Sequence, residues 1–74
     1  MNECRIRLDL KSAAEFVQKA SKCDFDIDIF YNHFIIDAKS MLGVLGLDFS
    51  RILTVKYGGR NRDFDLMLKK LAAG

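Results

Sequence analysis

Few side chains in this sequence are suited to chemistry, and the most informative of them is Ser40. The serine stands where an extended segment is expected to turn into a short helix, within the run AKSMLGVLGL of residues 38–47. Three large apolar residues of that run, Met41, Leu42 and Leu45, fall at helical spacing beside the serine. The spacing therefore predicts an apolar patch with a hydroxyl at its edge.

The other candidates for chemistry are two cysteines and one histidine. Cys4 and Cys23 match neither a C-x-x-C motif nor a zinc-ligand spacing, so we expect two reduced thiols rather than a disulfide or a metal site. His33, the only histidine, falls at the expected tip of a hairpin, where a lone imidazole is more often solvated than catalytic. The sequence thus predicts no metal, no cofactor and no enzymatic activity.

Length and charge limit the remaining classes of function. The chain has 74 residues, no proline and 50% hydrophobic residues, which favours one folded domain over residues 1–74. A net charge of +2 without a run of basic residues argues against nucleic acid or a membrane surface as partner. No apolar run approaches the roughly 20 residues that a membrane-spanning helix needs, so we expect a cytoplasmic protein.

Hydrophobic periodicity predicts the elements that must position these residues. Alternation predicts strands at Arg5–Leu10, Phe25–Tyr31, Phe34–Ala38 and Ile52–Tyr57. Helical spacing predicts a first helix from a capping box at Ser12–Glu15 to about Lys22, a short helix at Ser40–Leu47 and a last helix from about Arg62. The order β-α-β-β-α-β-α predicts an α+β fold, a four-stranded antiparallel sheet with helices on one face, or open-faced β-sandwich.

From about Ala13 onward the chain resembles the HPr family of the bacterial phosphoenolpyruvate-dependent sugar phosphotransferase system. The closest match is AKSMLGVLGL, which is similar to the segment that carries the family's regulatory serine. The run FVQKASK of residues 16–22 is similar to the family's first-helix signature, and Tyr31-Asn32 to its hairpin tip. The order of elements is also that of the HPr fold, so the resemblance implies a small phosphocarrier or a relative of one.

The family's active-site histidine has no counterpart here. In the family, the loop G-[IL]-H-A-R-P leads into the first helix. A gap-free count places Asp9 at the histidine position, Lys11 at the arginine and Ser12 at the proline. Because Asp9 fits the strand alternation, we expect a shortened loop instead of a substitution. His33 is expected to lie away from the start of the first helix and so does not replace the missing group.

The resemblance assigns roles to the segment around Ser40. It implies phosphorylation of Ser40 by the bifunctional HPr kinase/phosphorylase, whereas the residue pattern alone predicts a helix N-cap; the two roles are compatible. It also implies that the apolar patch docks enzyme I, permease domains or the regulator CcpA. The residues themselves predict that Val44 and Leu47 face inward, since so short a helix cannot bury every apolar side chain. The full docking set is Met41, Leu42, Leu45, Ala14, Lys11 and Lys39.

Three hypotheses about function follow. The first is a regulatory binding module of carbon catabolite repression, similar to the Crh group, whose members lack the histidine but keep the serine. The second is an active phosphocarrier in sugar uptake that uses a non-standard acceptor such as Asp9. The third is a structural or oligomerising domain in which Ser40 only caps its helix, with a homodimer formed by exchange of the first strand.

Overall fold

The computed structural model describes residues 1–73 and has the predicted order of elements. The strands are β1 (Asn2–Ile6), β2 (Ile27–Tyr31), β3 (Phe34–Asp37) and β4 (Leu53–Tyr57). The helices are α1 (Leu10–Ser21), α2 (Met41–Leu45) and α3 (Arg62–Leu71). The strands form one antiparallel sheet in the order β1-β4-β2-β3, which confirms the α+β open-faced sandwich. No helix within residues 1–73 is long and apolar enough to cross a membrane.

The core lies between one face of the sheet and the apolar sides of the helices. Alternate strand residues such as Ile6, Ile29 and Val55 point into it, so the opposite face of the sheet carries the residues between them, most of which are polar. Helices α1 and α3 meet through the rings of Phe16 and Phe64, whose centroids are 5.8 Å apart. Their buried stripes are Ala13, Phe16, Val17 and Ala20 on α1, and Phe64, Met67 and Leu68 on α3.

The first strand ends, and the first helix begins, earlier than the sequence predicts. The alternation extended the strand to Leu10, but β1 ends at Ile6, opposite Leu53 at the start of β4. Leu8 is buried outside the strand, and Leu10 is exposed as the first residue of α1. The helix is capped by Asp9, not by Ser12, so the predicted capping box at Ser12–Glu15 is wrong.

The second strand is shorter than predicted because its partner ends. β2 begins at Ile27, which pairs with Tyr57, the last residue of β4. Phe25, expected to start the strand, instead stacks its ring on Tyr57 with centroids 6.3 Å apart. The ring also lies where a side chain on Gly59 would stand, since a Cβ there would overlap the Phe25 ring. Phe25 is therefore held by side-chain packing and not by pairing with another strand.

The hairpin between β2 and β3 turns at Asn32-His33, as predicted. Asn32 has a φ of 53°, a left-handed conformation that asparagine tolerates better than most residues. The register places this tip beside the start of β4 and hence at the end of the sheet where β1 leads into α1. Arg7, two residues before the α1 cap, lines the same groove as Asn32. The expectation that the tip lies away from the start of α1 is therefore wrong.

Candidate functional site

Ser40 caps the short helix α2. Its backbone is extended, and its Oγ accepts a hydrogen bond from the Gly43 N–H at 3.2 Å, while its carbonyl accepts from the Val44 N–H at 3.0 Å. The residue is only partly buried. Such a cap satisfies an otherwise free helix amide and typically contributes about 0.5–2 kcal/mol. The predicted N-cap is present.

A tight chain reversal between β3 and α2 fixes the position of Ser40. Asp37 accepts two backbone hydrogen bonds, from Lys39 N–H to its Oδ1 at 2.9 Å and from Ser40 N–H to its carbonyl at 3.0 Å. The Lys39 Nζ donates to the carbonyl of Cys23 at 2.9 Å, just after α1. Lys39 therefore ties the serine to α1, an anchoring contact that no sequence pattern indicated.

The apolar patch beside the serine faces solvent. Leu42 is 87% exposed, Leu45 42% and Met41 37%, so none of the three side chains is enclosed in the core. Val44 is fully buried, and Leu47 packs against the core, as the spacing predicted for the inward side of α2. A five-residue helix thus buries one face against α1 and β3 and leaves three large apolar side chains outside.

Gly43 lets α2 approach the sheet closely. A Cβ at this position would lie 2.8 Å from Cγ2 of Ile36 on β3 and 3.3 Å from the Ser40 Oγ. The first distance is too short for two carbon atoms, so a side chain here would push the helix outward. The sequence showed this glycine only as a break in the apolar run.

Asp9 and Ser12 form a reciprocal capping box at the start of α1. The Asp9 Oδ1 accepts from the Ser12 N–H at 2.7 Å, and the Ser12 Oγ accepts from the Asp9 N–H at 2.9 Å. The hydrogen bond from the Ser12 N–H, followed by that from its hydroxyl, lowers the pKa of the Asp9 carboxyl. The carboxylate is therefore charged and already engaged as a helix cap.

The position of Asp9 differs from the one that the strand alternation predicted. A shortened loop was favoured because Asp9 was expected inside a strand, but the residue lies outside β1 and directly before α1. The reason drawn from the alternation is therefore wrong, while the shortened loop itself stays a prediction. Lys11 and Ala14, the α1 members of the predicted docking set, are exposed on the first turns of the helix.

The remaining candidates offer no further reactive cluster. Both cysteines are free thiols, and burial raises the pKa of Cys4 and of Cys23. His33 is exposed at the hairpin tip. Among residues 1–73 no group of three potential metal ligands comes together. The fold does bring together a serine that caps α2 and three exposed apolar side chains of the same helix.

The fold and its order of elements define an open-faced sandwich of the HPr type. A family model described as "PTS HPr component phosphorylation site" matches residues 4–73. The chain therefore belongs to the HPr family of the phosphotransferase system, and its class is that of the family's small phosphocarriers and their relatives. No curated protein sequence matches the chain significantly.

Solved structures of the same family resemble the chain over nearly its whole length. HPr-C-His from Thermoanaerobacter tengcongensis is 26% identical, with a TM-score of 0.75 and coverage of 97% of this chain and 91% of that one. The phosphocarrier protein HPr from Bacillus anthracis is also 26% identical, with a TM-score of 0.66 and coverage of 96% and 92%. Crh from Bacillus subtilis, described as a domain-swapped dimer, shares the fold at 19% identity, with a TM-score of 0.64 and coverage of 95% and 88%.

Proposed function

We propose that this HPr-family protein is a regulatory docking module that is phosphorylated at Ser40 and does not relay phosphate through a histidine. The observation that carries the proposal is the pairing of a capping serine that is only partly buried with three exposed apolar side chains on the same short helix. Exposed methionine and leucine at one patch suit adaptable protein binding. The modifying enzyme is an HPr kinase/phosphorylase of the bacterial cytoplasm.

The docking surface consists of Met41, Leu42 and Leu45, with Ala14, Lys11 and Lys39 at its margin. Its partner is a CcpA-like regulator of carbon catabolite repression, and enzyme I or permease domains are further candidates. A phosphate on Ser40 adds about two negative charges at the edge of this patch. Phosphorylation changes the charge that a partner meets, while the apolar contact area stays the same.

The carrier role is disfavoured by the state of Asp9. The Asp9 Oδ1 already accepts the Ser12 N–H as the α1 cap, and among residues 1–73 no cluster of acidic or other metal-binding side chains forms that would assist phosphorylation of an aspartate. His33 lies in an exposed turn, so the described structure provides no group that would orient its imidazole. The structural alternative keeps the fold and the cap but has neither phosphorylation nor docking.

The test is an intact-mass measurement on the pure protein after two separate incubations. With ATP and an HPr kinase we expect a gain of one phosphate, which is lost in Ser40→Ala and kept in the control Ser21→Ala, an exposed serine at the end of α1. With phosphoenolpyruvate and enzyme I we expect no gain. A phosphate gained from phosphoenolpyruvate would instead support the carrier, and no gain in either reaction would leave the structural role.

Docking is tested on the phosphorylated protein with a CcpA-like regulator by titration calorimetry. Leu42→Lys is expected to weaken binding at least tenfold, since fully burying one leucine in an interface is worth about 1.5–3 kcal/mol. Leu66→Lys is the matched control, because Leu66 is also exposed but lies on α3. Equal affinities for the two variants would exclude α2 as the docking surface.

A further inference from the structure

The two edge strands of the sheet, β1 and β3, differ in how far their outward backbone groups are already hydrogen-bonded. At the β1 edge, Ile6 bridges to Ala72, and the Ala73 N–H donates to the Arg5 carbonyl at 2.9 Å. At the β3 edge the Asp37 carbonyl accepts the Ser40 N–H of the following turn, but within the described residues no strand other than β2 pairs with β3. An open strand edge presents unpaired backbone groups that can pair with another chain.

The backbone groups that face outward from β3 can be identified from its register. The Ala38 N–H donates to the Ile27 carbonyl at 2.9 Å, which places residue 38 on the side bonded to β2. Hydrogen bonding alternates along an antiparallel strand, so Phe34 and Ile36 also bond toward β2. The N–H and carbonyl of Ile35 therefore point away from the sheet.

We propose that β3 is a self-association edge at which a second copy of this chain pairs antiparallel about a twofold axis at Ile35. Each Ile35 N–H then donates to the carbonyl of Ile35 in the other copy, and the two sheets become one of eight strands. In this register residue 35 faces itself, and residue 33 faces residue 37. The contact is isologous and closed, so it gives a dimer and no filament.

The charges on the open face of the sheet favour this register. One row across the strands reads Glu3, Lys56, Asp28 and Asp37, because each is directly opposite the next. The Lys56 Nζ lies 3.8 Å from Glu3 Oε1, but Asp28 and Asp37 are adjacent like charges. The twofold pairing brings His33 of the second copy opposite Asp37, where its imidazole can donate a hydrogen bond to the carboxylate.

The neighbouring row supplies apolar contact area. Phe30 is directly opposite Ile35, with Lys56 lying 4.5 Å from the centroid of the Phe30 ring. Ile35 is 63% exposed in the single copy. In the dimer the row continues from Phe30 through both Ile35 side chains to the second Phe30. Because β3 has only four residues, the buried area falls at the low end of specific interfaces, so the dimer is weak and concentration-dependent.

This dimer is distinct from one formed by exchange of β1 and does not depend on phosphorylation of Ser40. It uses β3 without opening the fold, whereas strand exchange requires β1 to leave its own sheet. The two forms therefore respond to different substitutions. A lysine at position 35 blocks pairing at β3, because two like charges would face each other across the axis, and leaves β1 unchanged.

Sedimentation equilibrium of the full chain over a wide concentration range tests the proposal. We expect the average mass of the wild type to rise toward twice 8.4 kDa, while Ile35→Lys stays monomeric. Ile52→Lys is the matched control, since Ile52 is an exposed isoleucine outside the strands, and it should associate as the wild type does. Circular dichroism confirms that each variant is folded.

A charge series at position 33 tests the register itself. His33→Lys is expected to tighten the dimer severalfold and His33→Asp to weaken it by a similar factor, because the residue faces Asp37 of the other copy. A monomeric wild type at every concentration would overturn the proposal. So would a dimer that Ile35→Lys leaves intact, or equal association of the two His33 variants.

Discussion

At the residue scale, the carboxylate of Asp9 couples the start of α1 to pH. Its pKa lies below the ordinary value of 3.8 because the Ser12 N–H, and then the Ser12 hydroxyl, stabilise the charged form. The folded state therefore binds this proton less readily than the unfolded state does. The resulting stability is present above pH 3.8 and is lost as the pH falls through 3.8 toward the lower folded pKa.

Asp9→Asn is predicted to reduce this acid-dependent loss. The amide oxygen still accepts the Ser12 N–H, so the cap is retained at neutral pH, but the group no longer titrates. Urea unfolding between about pH 7 and pH 3 should show a smaller decline for the variant than for the wild type. Asp48→Asn, at a carboxyl whose pKa Ser50 lowers, is an independent second case and should act in the same direction. If the free energy of unfolding of Asp9→Asn declined with falling pH as much as that of the wild type, the role assigned to the Asp9 carboxylate would be contradicted.

The two helix caps differ in how far sequence could identify them. Ser40 was predicted as a cap because a serine precedes an apolar helical run and no competing cap lies nearby. At α1 the predicted capping box of Ser12 with Glu15 overlaps the box of Asp9 with Ser12 that the structure has, and the alternation through Leu10 indicated a strand where the helix begins. Local pattern could not decide between them, since the end of β1 depends on where β4 begins, at Leu53.

At the element scale, the distance between α2 and β3 is set by a glycine. Gly43→Ala would place a methyl group 2.8 Å from Cγ2 of Ile36. This Cγ2 belongs to a stiff β-branched side chain on β3 and has little space into which to move. The variant is predicted to lower the free energy of unfolding by about 1–3 kcal/mol, the usual cost of overpacking. Urea denaturation followed by circular dichroism measures the change.

Gly46→Ala is the control for this prediction. Gly46 ends the same helix with a φ of −83°, and a Cβ there would meet only the carbonyls of Leu42 and Gly43, at 3.5 Å, an ordinary contact. Alanine should therefore be neutral or stabilise the protein by up to about 1 kcal/mol through the unfolded state. A similar loss in both variants would mean that flexibility, and not close packing, explains Gly43.

The elements themselves were predictable because each carries its own hydrophobic period. The buried stripe of α1 was identified although its first turn was not, since Phe16 and Val17 repeat at helical spacing wherever the helix begins. The anchoring of α2 was not predictable, because the contact of Lys39 with the Cys23 carbonyl joins residues sixteen positions apart. Such contacts depend on how two elements meet.

At the scale of the whole molecule, the sandwich was predictable because each element has one apolar face. The order of the strands within the sheet was not predictable in this way. β4 lies between β1 and β2, although both precede it by more than twenty residues. This non-local pairing brings the hairpin tip, with His33, to the end of the sheet where α1 starts. The two were expected to lie apart, because the position of a strand in the chain does not fix its neighbours in the sheet.

Because the chain has only 74 residues, its stability depends on a few large side chains. Phe64 is fully buried and packs its ring edge-on against Tyr57, with centroids 5.5 Å apart, and against Phe16. Phe64→Ala is predicted to cost about 3–5 kcal/mol. At roughly 0.05–0.15 kcal/mol per residue, a chain of 74 residues has a total stability of only about 4–11 kcal/mol.

The same change on the surface should have almost no effect. Phe34, at the exposed β3 edge, is 61% exposed, so Phe34→Ala removes a comparable ring without opening a cavity and should change stability by no more than about 0.5 kcal/mol. Both variants are compared by urea unfolding in dilute solution, where pairing between copies is negligible. Comparable losses in the two variants would show that the core between the sheet and the helices does not dominate the stability. A loss confined to Phe64→Ala would show that it does, because only that ring joins α1, α3 and β4.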